Sequence, residues 1–117
     1  MLVSRLTEVD GKAVTDHGAK DVTIRVLMGD NVGAPNFAMR HFSLAPGGNT
    51  PYHSHHWEHE VFVLSGAGKV LQKDGGKEVE PGSFVYVPPD LDHSFVNTGD
   101  SPFEFLCVIP ATKLCLK

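Results

Sequence analysis

Four histidines between residues 53 and 59, with another at 93, are the residues whose type and spacing could do chemistry. His53, His55 and His59 share one parity, so in an extended chain their side chains project to the same side. The first two are then about 7 Å apart along the backbone, and both imidazoles can reach one ion at roughly 2.0–2.2 Å. His93 precedes a predicted strand and can approach from another wall. Because neutral imidazole is the commonest metal ligand in proteins, the pattern predicts one divalent metal ion on these four side chains.

The polar residues between the predicted ligands have the opposite parity. His56 is therefore predicted not to bind the metal. Glu58 and Glu60 flank His59 and leave three interpretations open. They face solvent, or one of them replaces His59 as a ligand, or they accept the outer N–H of a ligand histidine and fix its ring orientation. Parity favours the supporting role over direct ligation.

Composition excludes several other functions. The formal net charge is −4 and like charges are not clustered, which argues against nucleic acid or an anionic membrane surface as a partner. Cys107 and Cys115 are too few for a secreted disulfide scaffold. The N-terminal residues lack a signal-peptide pattern, and no apolar run approaches the roughly 20 residues of a membrane span, so we expect a soluble cytoplasmic protein with reduced thiols. His17 and His41 are given no role.

The elements that must position the histidines are short strands separated by Gly and Pro, a pattern typical of an all-β sandwich or barrel. Ala45-Pro46-Gly47-Gly48 is predicted to be a turn. Residues 1–20 are interpreted as an extra edge strand or as an arm that pairs with another subunit. The 117 residues suffice for one domain with its own core, so a metal is not needed merely for folding. The predicted strands are Val22–Met28, Phe37–Leu44, Val61–Leu64, Lys69–Lys73, Lys77–Glu80, Ser83–Val87, Ser94–Asn97 and Phe103–Ile109.

Two spaced motifs resemble those of the cupin superfamily. The first is a Gly, His-x-His, Glu, Gly pattern, and the second is a Gly, Pro-x-Gly, His, Asn pattern. The spacing agrees throughout, but His59 replaces the glutamate of the first motif and Asp90 replaces the second glycine of the second motif. Asp tolerates the left-handed backbone conformation better than most residues, so the second replacement is compatible with the turn. The matching residues are Gly47, His53, His55, Gly66, Gly82, Pro88, His93 and Asn97.

The resemblance implies a double-stranded antiparallel β-barrel of jelly-roll type, with residues 1–117 as one cupin domain and a barrel core of about residues 22–110. The chain looks most like small single-domain cupins that bind manganese through four histidines, although iron, nickel, copper and zinc also suit imidazole. A six-coordinate ion would then keep two open positions. A homodimer is also implied. Four neutral imidazoles leave the ion's full charge in place, which makes it a strong Lewis acid that prefers an anionic ligand.

Parity also suggests which side chains form the pocket around the metal. Phe95 shares a face with His93, and Phe105 and Cys107 face the same interior if the last strand turns its odd positions inward. Trp57 lies within the histidine run. Phe103 is assigned to the core. Cys107 is a candidate catalytic residue if its thiolate has a low pKa and faces the metal.

Three functions fit this pattern. The first is an oxidoreductase that activates dioxygen or peroxide at the metal and oxidises a small apolar or aromatic molecule. The second is a sensor or binding module without catalysis, in which the metal anchors a small ligand. A sugar isomerase or epimerase is the third, and it is disfavoured because no internal acid or base can be identified for it.

Overall fold

The structure, a computed structural model, describes residues 1–111, and the predicted all-β class is confirmed. Cys115 lies outside the described residues. Within them, the only helices are two single 3-10 turns, Leu6–Glu8 and Asp30–Val32, and no helix could span a bilayer. The strands are β1 Lys12–Ala13, β2 Lys20–Met28, β3 Phe37–Asn49, β4 His59–Ser65, β5 Gly68–Gln72, β6 Gly75–Val79, β7 Phe84–Val87, β8 Ser94–Asn97 and β9 Phe103–Pro110.

The strands form one curled antiparallel sheet in which β3 is the central element. The hydrogen-bonded order is β6-β5-β8-β3-β9-β4-β7, with β2 paired to β3 and β1 paired to β2. The first part of β3 pairs with β9, from Phe37 opposite Pro110 to Leu44 opposite Phe103. Its last residue, Asn49, pairs with β8 instead. One long strand thus belongs to both halves of the sheet and joins them around a common interior.

The interior follows from the alternation of side chains along the strands. In β4 the side chains of His59, Val61 and Val63 are buried, whereas Glu60 and Phe62 between them are exposed. The same alternation turns Phe103, Phe105 and Cys107 of β9 inward. The parity that places His59 on the inner face is therefore the parity that builds the apolar core, whose buried members are Val22, Leu44, Val61, Val63, Val79, Val87, Phe95, Phe103, Phe105 and Cys107.

The predicted turn at residues 45–48 is wrong, because this segment continues β3. Lys20 of β2 pairs with Asn49, while Val22 pairs with Leu44, so the extra residues of β3 form a bulge. Gly47 adopts a left-handed φ of 80° within it. A Cβ on Gly48 would lie 2.8 Å from the Lys20 carbonyl oxygen, so the two backbones approach more closely than other residues allow.

The N-terminal segment contributes a short edge strand. Lys12 and Ala13 pair with β2, which is one of the two interpretations open for residues 1–20. The Arg25 side chain holds the preceding segment in place by donating from Nε to the Val9 carbonyl oxygen at 3.1 Å. This arrangement brings residues 12–16 to the mouth of the interior cavity.

Gly68 gives a direct test of the packing. A Cβ at this position would lie 2.4 Å from a ring carbon of Phe103, whose side chain is fully buried and cannot move aside. Gly68→Ala is expected to lower the free energy of unfolding by about 3 kcal/mol, measured by urea denaturation, because overpacking strains the core. Gly99→Ala is the matched control, since its Cβ would meet neighbours only at 3.5 Å or more. Equal stability of the two variants would contradict this description of the core.

Candidate metal centre and its cavity

The structure brings His53 and His93 together by a backbone bridge. The His53 amide donates to the His93 carbonyl oxygen at 3.1 Å, and the His93 amide donates back to His53 at 3.0 Å. His55 is held nearby because its carbonyl oxygen accepts a hydrogen bond from Asp90 at 2.6 Å. Asp90 has a φ of 66°, the left-handed conformation expected where the second motif has glycine. The loop before His93 is therefore fastened to the histidine run.

The four imidazole rings cluster at one wall of the interior. The distances between ring centres are 4.3 Å for His53–His55, 4.9 Å for His59–His93, 5.2 Å for His55–His59, 5.8 Å for His53–His93 and 6.4 Å for His55–His93. With metal–nitrogen bonds of about 2.1 Å, rings around one octahedral ion have centres roughly 4.6 Å apart for neighbouring ligands and roughly 6.4 Å for opposite ones. The observed spacings cover this range.

Only some of the imidazole nitrogen atoms are spaced as ligands of one metal ion would be. His53 Nε2 and His55 Nε2 lie 3.0 Å apart, which is the separation of about 3 Å expected for neighbouring ligands of one ion. Among residues 1–111, however, no three His, Cys, Asp or Glu side chains are already arranged to hold an ion. Metal binding would therefore require the rings to move from these positions, for example by rotation of their side chains. The donor set of four imidazoles fits a divalent transition metal.

The environment of His53, His55 and His59 favours the neutral imidazole, which is the form that binds a metal. Burial, followed by the nearby His93 and Arg40, lowers the pKa of His59 to about 3. Burial and the neighbouring histidines lower the pKa of His55 to about 4, and burial also lowers the pKa of His53. The side chain of His59 is 6 % exposed and its Nδ1 is buried without a hydrogen-bond partner. These rings favour the unprotonated form that can donate a lone pair to a metal.

The outer nitrogen of His93 is oriented by the backbone. His93 Nδ1 lies 2.9 Å from the Leu91 carbonyl oxygen, so a proton on Nδ1 leaves Nε2 free to bind a metal. Neither Glu58 nor Glu60 is placed to accept the outer N–H of a clustered histidine. Glu58 and Glu60 are exposed and lie outside the cavity, and the interaction with Glu58 raises the pKa of Tyr86 on the outer face.

The remaining histidines lie away from the cluster or at its rim. His56 is exposed, and its ring meets Trp57 edge-on at 4.8 Å. His41 is 1 % exposed, and its Nε2 lies 2.9 Å from Glu104 Oε1, close enough for a charge contact although the angles do not make a hydrogen bond. Burial lowers the pKa of His41. Neither residue lines the cavity.

A cavity of about 390 Å³ opens in front of the histidine cluster. Trp57 stacks on His55, with ring centres 4.3 Å apart and planes at 13°. Phe95 and Phe105 line the wall, and Cys107 lies beside them, whereas Phe103 is buried outside the cavity as a core residue. The lining residues are Lys12, Ala13, Val14, Thr15, Asp16, Val22, Ile24, Arg40, Phe42, Thr50, Pro51, His53, His55, Trp57, His59, His93, Phe95, Phe105 and Cys107.

Two side chains of the cavity wall, Cys107 and Arg40, differ from what the sequence predicts. Cys107 is 2 % exposed, and burial raises the pKa of its thiol, so the thiolate of low pKa considered from the sequence is not supported. Its neighbour Arg40 was not predicted as a site residue. Arg40 Nη2 donates to Cys107 Sγ at 3.1 Å. The signal for Arg40 was available, because it shares the parity of Phe42 and Leu44 in a predicted strand and must face the same side.

Fold and site together define a curled β-barrel protein with a histidine-lined interior, and the comparisons name the family. The family model described as a cupin domain matches residues 40–109, so the chain belongs to this family. The polyketide cyclase RemF from Streptomyces resistomycificus is 36% identical, with a TM-score of 0.89, over 94% of this chain and 79% of RemF. A cupin-2 domain protein from Rhodospirillum rubrum is 28% identical, with a TM-score of 0.81, over 94% of this chain and 74% of that one.

A curated relative with a different activity matches a shorter segment. Glucose-6-phosphate isomerase of Thermococcus litoralis is 48% identical over 66 residues, which are 51% of this chain and 35% of the isomerase. The chain thus spans about a third of the length of this relative.

Proposed function

We propose that this cupin is a metal-dependent enzyme that converts a small aromatic or conjugated molecule bound in the cavity. The observation that carries the proposal is the position of four imidazoles at one wall of a cavity whose other walls carry Trp57, Phe95 and Phe105. Manganese is the proposed ion, by resemblance. A homodimer stays a prediction that the mass in solution would test.

The histidines, the aromatic side chains and Asp16 would have different roles in the proposed site. A divalent ion bound by the histidines would act as a Lewis acid on oxygen atoms of the ligand. The contact of His93 Nδ1 with the Leu91 carbonyl oxygen would leave Nε2 available to bind the ion. The aromatic walls hold a planar ring and exclude water, which strengthens electrostatic interactions inside the cavity. Among residues 1–111, Asp16 is the only carboxylate that lines the cavity, so the proposed chemistry relies on polarising the ligand rather than on paired carboxylates.

The proposed reaction is ring closure of an oxygen-rich, conjugated chain. The likeness to the polyketide cyclase RemF supports it, because that likeness extends over 94% of this chain. Oxidation with dioxygen or peroxide, the first hypothesis from the sequence, is the second candidate. It is favoured by the apolar, water-excluding wall beside the histidines, which would protect a reactive oxygen species. The likeness to glucose-6-phosphate isomerase leaves sugar isomerisation a weaker proposal, because it covers 51% of this chain and 35% of the isomerase.

The presence of oxygen distinguishes the candidates. Purified, untagged protein would be incubated with poly-β-ketone and hydroxylated aromatic substrates under air and under nitrogen, with products followed by mass spectrometry. Ring closure predicts equal turnover in both gases and a product lighter by one water. A product heavier by one or two oxygen atoms, formed only in air, would favour oxidation. Ligand binding without any product would overturn both and favour a binding module.

A further inference from the structure

Arg40 lies in the cavity wall without an acidic partner. It is half-buried, its guanidinium carbon lies 5.0 Å from the centre of the Phe42 ring, and its Nε is buried without a hydrogen-bond partner. Among the described residues, the one basic side chain within ion-pair distance of a carboxylate is His41, beside Glu104, so no carboxylate of residues 1–111 pairs with Arg40. A guanidinium stays protonated in proteins. The cavity therefore contains a fixed positive charge without a counter-ion from the described chain.

The charges of the other residues that line the cavity do not cancel the positive charge of Arg40. Lys12 and Asp16 lie at the exposed mouth and are opposite in sign, which leaves Arg40 as the uncompensated charge deeper inside. A histidine side chain is neutral or cationic, so the four histidines that line the cavity supply no counter-charge either. A partly buried cation without a partner costs free energy, and an anionic ligand would remove that cost.

A row of aromatic rings connects Arg40 to the histidines. The Phe42 and Phe105 rings are stacked with centres 5.2 Å apart, and Phe105 stacks on Phe95 at 4.6 Å. Phe95 in turn meets His93 edge-on at 6.1 Å. A planar ligand can pack along this row, with one end at the guanidinium and the other at the histidine cluster.

We infer that the cavity selects an aromatic or conjugated carboxylate, whose carboxylate pairs with Arg40 while its ring lies along Phe42, Phe105 and Phe95. The planar guanidinium can bind both carboxylate oxygens at once. Arg40 is then the residue that determines specificity for an anionic ligand. The inference deepens the proposed function by naming its substrate class, but carboxylate binding at Arg40 does not itself require the metal.

The test compares a carboxylate with its neutral amide. Binding of 2-naphthoate and 2-naphthamide would be measured by isothermal titration calorimetry, with protein as purified and after removal of metal by a chelator. We expect wild-type protein to bind naphthoate roughly 10- to 100-fold more tightly than the amide in both preparations. Arg40→Gln should lose this preference, and Arg40→Lys should recover part of it. Lys73→Gln, which removes an exposed charge outside the cavity, is the matched control and should keep the preference.

The wild-type measurement alone can overturn the inference. Equal affinity for acid and amide, or no binding of either, would exclude selection by Arg40 even if the Arg40 variants fail to fold. A preference that survives in Arg40→Gln would place the carboxylate elsewhere. A preference that appears only in the metal-containing protein would assign the carboxylate to the metal instead. A preference kept without metal supports the inference even if the protein proves to lack enzymatic activity.

Discussion

His59→Ala is expected to reduce the bound metal from about one equivalent to a small fraction, measured by elemental analysis of untagged protein purified without added metal. His59 is buried on the inner face of β4, and its ring centre lies 4.9 Å from His93 and 5.2 Å from His55. Its replacement would leave three imidazoles and an open gap where a fourth ligand is proposed. Loss of one ligand from such a site weakens metal binding strongly, because the remaining ligands no longer surround the ion.

His56→Ala is the matched control for this experiment. It removes a histidine from the same segment, but His56 is exposed and does not line the cavity. Full metal content in His56→Ala together with loss in His59→Ala would support the four-histidine site. Equal metal content in both variants would contradict it and direct attention to Glu58 or Glu60 as the ligand.

Acid is expected to destabilise the metal-free protein well before its carboxylates are protonated. The pKa of His59 falls from an ordinary 6.5 to about 3 on folding, so below pH 6.5 the unfolded chain binds a proton that the folded chain does not. The resulting stability is present above pH 6.5 and is lost as the pH falls toward 3. At pH 5 the loss from His59 is about 2 kcal/mol relative to pH 7.5.

Urea denaturation of metal-free protein at pH 7.5 and pH 5 measures this effect, and His59→Leu should remove the part due to His59. The same competition governs the metal, because a proton and a metal ion use the same lone pair. Because the pKa of His55 is about 4 and the pKa of His59 is about 3, we expect the ion to be retained at pH 5.5 and released near pH 4. Stability and metal content that do not change between pH 7.5 and pH 4 would show that these imidazoles are not buried as described.

The sequence predicts the inner face of this site better than its surroundings. Parity predicts His53, His55 and His59 on one side. In the structure His53 forms a single bridge and the chain bends at residues 56 and 57 before β4 begins at His59, so a bend rather than a continuous strand joins these histidines. The left-handed conformation at Asp90 could likewise be expected from residue type and motif position. These features depend on neighbours in the chain, and the structure brings the corresponding side chains together.

Features that depend on distant parts of the chain were missed. The bulge at residues 45–48 looked like a turn because Pro and Gly signal turns locally, yet pairing with β2 keeps the segment in the sheet. Arg40 looked like an ordinary strand residue because its cavity arises only when β3, β9 and the histidine run meet. The Lys12–Asp16 segment at the cavity mouth is positioned by pairing of β1 with β2 and gave no signal of its own.

The position of Trp57 gives the protein a built-in optical probe. It is the only tryptophan of the chain, and its indole stacks on the ring of His55, one of the four clustered histidines. The indole nitrogen is buried without a hydrogen-bond partner, so its excited state responds to changes in the polarity and charge next to it. All tryptophan emission of the protein therefore originates within one ring diameter of the cavity, and its intensity reports occupancy of that cavity without a label.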